Sequence, residues 1–428
     1  MHYSARMTAH AALLSAFLDD RHADQIAFLR ELVRVPSDNP PGDCAPIARR
    51  AQALLEALGL QVEAYEVPAG QVRANGMRSA VNLIVRHRFA AEGPVIAMNA
   101  HGDVVPPGEG WTRDPYGAEI ETDPRHGPVM YGRGVAVSKS DFATYTWALL
   151  ALREAQRQGA AYRGAVELHF TFDEEAGGDI GPRWLLEQGH SRPDYALSAG
   201  FGYAITSAHN GCLHVEIRVR GRQAHAAMPE TGADALEAAT HVLQVLYAFR
   251  AELARRRSAT PGIGWPTLNV GLIEGGINTN VVPDRVVFRV DRRMIPEEAD
   301  LDAEAELRHV VETAIASRPG CAAELRRIML ARPLTQLAGA ERLIEPLRRH
   351  ARAAMDAEIP VHGVPLYTDA RHYSERGIPT VLYGAGPRTL IEAGGHNADE
   401  NLRLEDLRKA TRVVALALDE LLDGAARD

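Results

Sequence analysis

PVIAMNAHGDVVPPGEGW, residues 94–111, decides the fold. Its first seven residues form a short apolar run of buried-strand type, and the turn-rich segment that follows carries His101 and Asp103 off the strand's C-terminal end. The arrangement returns in AVELHFTFDEEAGG, residues 165–178, where an alternating strand runs into Asp173, Glu174 and Glu175. Between them, residues 141–156 predict a helix with Trp147, Leu149, Leu150 and Leu152 as core candidates. Upstream, Ile26, Leu29, Leu32 and Val33 recur at helical spacing over 23–35, and PSDNPPGD must end that helix because proline cannot continue it. Strands alternating with helices predict an α/β domain: a mostly parallel sheet with helices on both faces, whose ligands gather beyond the carboxyl ends of the strands.

The middle of the chain changes character. Residues 213–219 (LHVEIRV) alternate, 233–256 form a long amphipathic helix, 267–273 and 285–290 read as strands, and 297–317 as a charged helix. This predicts an inserted α+β domain over 209–325, interrupting a first domain formed by 1–208 and 326–428. The strand-loop-helix rhythm returns at 379–382, GAGP and 404–422.

Composition narrows the function classes. A chain of 428 residues suggests two or three domains at the usual ~150 each. With 46% hydrophobic and 24% charged residues and no apolar run near the ~20 a membrane helix needs, an ordinary globular protein with no membrane partner is expected. A net charge of -9 gives a nucleic acid no reason to bind, which leaves a small-molecule substrate. Cys44, Cys212 and Cys321 are too scattered for a disulfide framework or a cysteine-ligated zinc site, and no export signal is visible, so a cytoplasmic location is expected. Lys139 and Lys409 are the only lysines, which makes Lys139, inside a motif-like segment, worth locating.

Three clusters can carry chemistry: His101 with Asp103, Asp173-Glu174-Glu175, and His396 in GGHNADEN. An aspartate two residues from a histidine can hold the second ring nitrogen and fix the tautomer. Adjacent glutamates can divide labour, one binding a metal and the other moving a proton between water and leaving group. Taken singly, each pattern also fits a capping imidazole or a solvated acidic turn.

Together with FLRELVRVPSDNPPGD, MYGRGVAVSKSDFA, GRQAHAAMPETGADALEAA, NTNVVPDRVVFRVDRR, TDAR and GAGP, in that order along the chain, these clusters resemble the zinc-dependent exopeptidase and deacylase family of succinyl-diaminopimelate desuccinylase, acetylornithine deacetylase, the aminoacylases and glutamate carboxypeptidase. The resemblance implies a catalytic domain split in sequence by a smaller lid domain through which a homodimer forms. It implies His101, Glu175 and His396 as metal ligands, Asp103 as the residue orienting His101, and Glu174 as general base. It also implies His225 as an oxyanion-supporting histidine, and Asn280 and Arg293 as groups holding a substrate carboxylate.

Two positions depart from the family pattern. Where GRG-x-x-Asp-x-Lys-Gly has a metal-bridging aspartate, this chain has Val137, and the acidic ligand of a Glu-Pro-Thr-like segment falls at Gly200. Two dications ~3.5 Å apart repel by about 19 kcal/mol at an effective dielectric of ~20, which a bridging carboxylate offsets and valine does not. One divalent ion per chain, zinc by its two imidazoles and one carboxylate, is therefore expected rather than two. Asp141 and His209 are candidate replacements for the lost ligands. The function expected is metal-dependent hydrolysis of an amide in an N-acyl amino acid or small peptide-like substrate with a free carboxylate. The alternatives are a metal-independent hydrolase using Glu174, Lys139 and its flanking serines, and a non-catalytic binding protein.

Overall fold

The computed structural model describes residues 2–423; residue 1 and 424–428, part of the expected first domain, lie outside it. The chain divides into two compact units. One takes the residues up to Ser207, Gln336–Val361 and the stretch from Thr368 on; the other takes Ala208–Thr335 and His362–Tyr367.

At the centre of the first unit lie four parallel strands in the order Ala165–Thr171, Val95–His101, Tyr195–Ser198 and Thr380–Leu382. Val81–Arg88 pairs antiparallel to the first of these, and Val62–Glu66 to Val81–Arg88. Along Val95–His101, Ile96, Met98 and Ala100 enter the main core, while Ala97 points the other way and packs with Leu186 and Tyr373. Both faces are thus covered by helices, as near-continuous burial of a parallel strand requires. The register sets His101 opposite Thr171, so the loops after these two strands leave the sheet side by side.

Helix Lys139–Arg157 starts two residues earlier than expected and is buried nearly all round, with Phe142, Tyr145, Trp147, Leu149 and Leu152 in the core. Helix His22–Val33 ends just before Pro36, as expected from the proline that follows it.

The second unit carries a four-stranded antiparallel sheet in the order Thr267–Gly275, Arg285–Met294, Gly211–Arg220 and Ala322–Ala331. Leu213, Val215, Ile217 and Val219 bury one face in the core shared with helices Ala235–Leu253 and Asp300–Ala316. Asp234 starts the first of these helices by accepting the N–H groups of Leu236 and Glu237. The boundary expected at 325 falls inside Ala322–Ala331, and the unit runs on to Thr335 and takes in 362–367. That strand escapes a reading of hydrophobic pattern because it is an edge, with charged Glu324, Arg326 and Arg327 along it and only partial burial of Ala323 and Leu325. No helix among the described residues is long and apolar enough to cross a membrane.

Candidate active site

His101 is the last residue of its strand and is buried. Its Nδ1 lies 3.0 Å from the Asp103 carbonyl oxygen and 3.4 Å from Asp103 Oδ1, while its backbone N–H donates to Ser138 Oγ at 3.2 Å. Asp103, fully buried, does more than face the imidazole. Its carboxylate accepts the N–H groups of Glu174 at 3.1 Å and Glu175 at 3.0 Å, and the Asn39 side-chain amide at 2.9 Å. One aspartate therefore ties together the tips of two neighbouring strands.

That tie draws His101, Glu174 and Glu175 into one group whose donor atoms all lie within 4.8 Å of one another. His101 Nε2 is 3.9 Å from Glu174 Oε2. His396 stands outside the group and joins it through Glu175, with Nε2 3.4 Å from Oε1, on a side chain that is more than half exposed. The set expected from sequence, His101 with Glu175 and His396, is thus not gathered as a single cluster: Glu174 takes the third place. His396 sits in a turn at φ 62° and is paired with Glu175.

Electrostatics follow from crowding acids around one imidazole. Burial pushes the His101 imidazole down, but Glu174, Asp103 and Glu175 together outweigh it and hold it well above the usual histidine value. Burial pushes Glu174 well up, with Glu175, Asp369 and Asp103 adding to burial against the pull of His101. The hydrogen bond to Glu175 raises His396, against its own partial burial.

Two more buried acids lie beside this group: Asp173, already part of the acidic cluster read from sequence, and Asp369, which sequence reasoning missed as a site residue. Asp369, from the TDAR segment, accepts Thr171 Oγ1–H at 3.3 Å, and burial pushes its carboxyl up. Asp173 accepts the N–H groups of Ile180 at 2.7 Å and Gly181 at 2.9 Å. Each keeps one buried oxygen without a hydrogen-bond partner, in a region already dense in carboxylates. Only glycine fits at 178, where φ is +70° and a Cβ would come within 2.1 Å of Asp369 Oδ1. The arrangement of one imidazole and several carboxylates, with oxygens left over, suits a divalent cation, which His101 and Glu175 could hold together with His396 or Glu174.

The loop carrying Val137 is wrapped around Glu400, a residue without any sequence signal. Glu400 accepts the N–H groups of Gly134, Ala136 and Val137 at 3.0–3.2 Å and pairs with the buried Arg133 at 2.7 Å. Gly200 leaves no room for a ligand side chain, since a Cβ there would lie 2.7 Å from the Tyr383 nitrogen. Asp141, considered above as a replacement ligand, is spent on backbone: it accepts Ala385 N–H at 2.7 Å and Gly200 N–H at 3.2 Å. Lys139 is also committed, donating from Nζ to the carbonyls of Leu32 at 3.2 Å and Val35 at 3.1 Å, where it caps helix His22–Val33. Ser138 accepts the His101 N–H. These bonds remove Lys139 from the nucleophile-activating part that a metal-free mechanism would give it.

On the second unit, the exposed His225 is brought beside Asn280 by its backbone: His225 bridges Val281, and Ala226 N–H donates to the Asn280 carbonyl at 3.0 Å. Arg293 grips Asp291 through Nε and Nη2 at 2.9 and 3.0 Å, and its guanidinium lies 5.6 Å from the centre of the Tyr367 ring. His209 is buried in the same unit, its Nδ1 2.9 Å from the Asn210 carbonyl oxygen and its backbone bridged to Leu334.

The sequence profile of peptidase family M20/M25/M40 matches residues 97–420. The chain belongs to this family. It is 31% identical over 286 residues to succinyl-diaminopimelate desuccinylase of Gluconobacter oxydans, covering 63% of this chain and 67% of that protein. It is 29% identical to acetylornithine deacetylase of Myxococcus xanthus, covering 89% and 93%. The fold matches the Bacillus subtilis YXEP protein, described as a dinuclear metal-binding peptidase of the M20 family, with a TM-score of 0.66 at 18% identity over 94% of this chain and 99% of that one. The M20/M25/M40 chain described here is accordingly a hydrolase of the peptidase and amide-deacylase type.

Proposed function

We propose that this M20 hydrolase cleaves the amide of an N-acyl amino acid or short peptide-like substrate with a free carboxylate, using one divalent ion, zinc, per chain. The observation that carries the reading is the gathering of the donor atoms of His101, Glu174 and Glu175 within 4.8 Å of one another, with Glu174 part-buried and its proton affinity raised well above that of an ordinary carboxylate. Loss of the bridging carboxylate at Val137 and of ligand space at Gly200 supports one ion rather than two.

A divalent ion at this centre would be held by His101 and Glu175, with His396 joining from its contact with Glu175, and would supply Lewis acidity toward a carbonyl oxygen and make water easier to deprotonate. Glu174 removes a proton from the attacking water as oxygen bonds to the amide carbon, and passes that proton to the amide nitrogen as the carbon–nitrogen bond breaks. The products are a carboxylic acid and an amine, which leave as carboxylate and ammonium. Asp103 holds His101 and the Glu174–Glu175 turn in place during both transfers. His225 as oxyanion support, and Asn280 and Arg293 as carboxylate readers, are proposed from the family resemblance.

A homodimer through the second unit is proposed as well. Thr267–Gly275 is an edge strand with Leu272 and Ile273 strongly exposed, which suits pairing with a second copy. None of the three cysteines forms a disulfide, which fits a cytoplasmic home. The test of the hydrolase reading is elemental analysis of protein purified without chelators, together with turnover of a panel of N-acyl amino acids before and after chelation. One metal at the His101 centre and chelator-sensitive turnover are expected; chelator-resistant turnover overturns the reading.

A further inference from the structure

The second unit carries another cluster of metal-type donors. Strands Gly211–Arg220 and Arg285–Met294 pair so that Cys212 lies opposite Arg293 and His214 opposite Asp291. Residues two apart on a strand share a face, so Cys212, His214, Asp291 and Arg293 form one patch, on the side away from Leu213 and Val215, which enter the helix-covered core. His214 Nε2 is 3.1 Å from Asp291 Oδ2, Cys212 Sγ is 3.9 Å from Asp291 Oδ1, and the three donor atoms all lie within 4.8 Å of one another.

We propose that Cys212, His214 and Asp291 form a second site, for a zinc-class divalent cation. A thiolate, an imidazole and a carboxylate are the donors such an ion takes. Metal–sulfur and metal–nitrogen distances of ~2.3 and ~2.0–2.1 Å in a tetrahedron place donors about 3.3–3.6 Å apart, the range these atoms bracket. Cys212 forms the closed floor of the patch, while His214 and Asp291 keep 36% and 30% of their side chains exposed, so an ion can enter from solvent. Arg293 holds the Asp291 carboxylate by two bonds, as an outer-shell partner orients a ligand. The three ligands bring two negative charges to a dication, and Arg293 leaves one positive charge beside it, so the fourth position takes an anion such as a carboxylate.

Sulfur makes the test independent of the hydrolytic reading, because the His101 group contains no thiol. The chelator-stripped full chain is titrated with cobalt(II) alone and followed in the near ultraviolet for sulfur-to-cobalt charge transfer. The band is expected in the wild type, in Cys44→Ala and in Glu175→Gln. It is expected to disappear in Cys212→Ser and to need at least ten-fold more cobalt in His214→Gln, a change at a part-exposed position that keeps the fold. A wild-type chain that binds cobalt without this band, or a band unchanged in Cys212→Ser and His214→Gln, overturns the proposal.

Discussion

The Asp103 carboxylate accepts the backbone N–H of Glu174 at 3.1 Å, so the residue that faces the His101 imidazole also fixes the position of the candidate base. Removing it therefore acts twice. Asp103→Ala strands the part-buried N–H groups of Glu174 and Glu175, at up to about 1–3 kcal/mol each, and should lower metal affinity or turnover about 10–100-fold. Urea unfolding and metal titration read the two effects separately; wild-type turnover in this variant would show that the tie is dispensable.

Glu174→Gln tests proton transfer alone. The amide is isosteric with the carboxyl and, although it removes the charge facing His101, it leaves His101, Glu175 and His396 as donors, so bound metal should be retained while kcat falls by about 100-fold or more. Undiminished turnover would remove Glu174 from the mechanism.

What could be read from the sequence was what lies close together along the chain. Apolar runs ending in turns located His101, Asp103, Glu174 and Glu175 because a parallel strand delivers its loop at a fixed end. Asp369 and Glu400 were invisible as site residues because each acts across the fold, 198 residues from Thr171 and 267 from Arg133. Lys139 kept a family position, yet only the structure shows its ammonium spent on the carbonyls of Leu32 and Val35. Strand Ala322–Ala331 was missed because an edge strand lacks the burial that makes alternation visible.

Asp141 sets a pH dependence of stability. Burial pushes its carboxyl up to about 7, more than the N–H groups of Ala385 and Gly200 pull it down. Over roughly pH 4–7 the native state thus keeps a proton that the unfolded chain has released, and stability falls as pH rises through that window, by at most about 1.4 kcal/mol per unit. Asp141→Asn removes this slope. The unfolding free energy of the wild type minus that of the variant, measured in urea at several pH values, should decline from pH 4 to 7 and level off above; a flat difference would place the Asp141 titration elsewhere. Other buried acids with raised values cancel in the subtraction.

Glu400 tests whether the loop that lost the bridging aspartate still has a defined shape. Its carboxylate is buried with Arg133 and holds three backbone N–H groups, so Glu400→Gln leaves an uncompensated guanidinium and should cost about 3–5 kcal/mol in urea unfolding. A loss under ~1 kcal/mol would mean that Arg133 finds solvent and the loop is loosely held.

Glu400 grips the Val137 backbone and not its side chain, which packs half-buried against the core, so a substitution here leaves the Glu400 hydrogen bonds available to hold the loop. Val137→Asp should place a carboxylate beside the His101 group, where the family pattern has its bridge, and so offset part of the repulsion that, on the proposed one-ion reading, disfavours a second dication. Bound metal at this centre is expected to rise above one ion per chain, with the second ion weaker than the first because Gly200 still supplies no ligand. Elemental analysis after equilibrium dialysis, on a Cys212→Ser background to silence the second unit's cluster, reads the change. An unaltered stoichiometry would mean that the centre has been rebuilt around one ion, with Asp141 turned away to Gly200 and Ala385 and no ligand left to complete a pair.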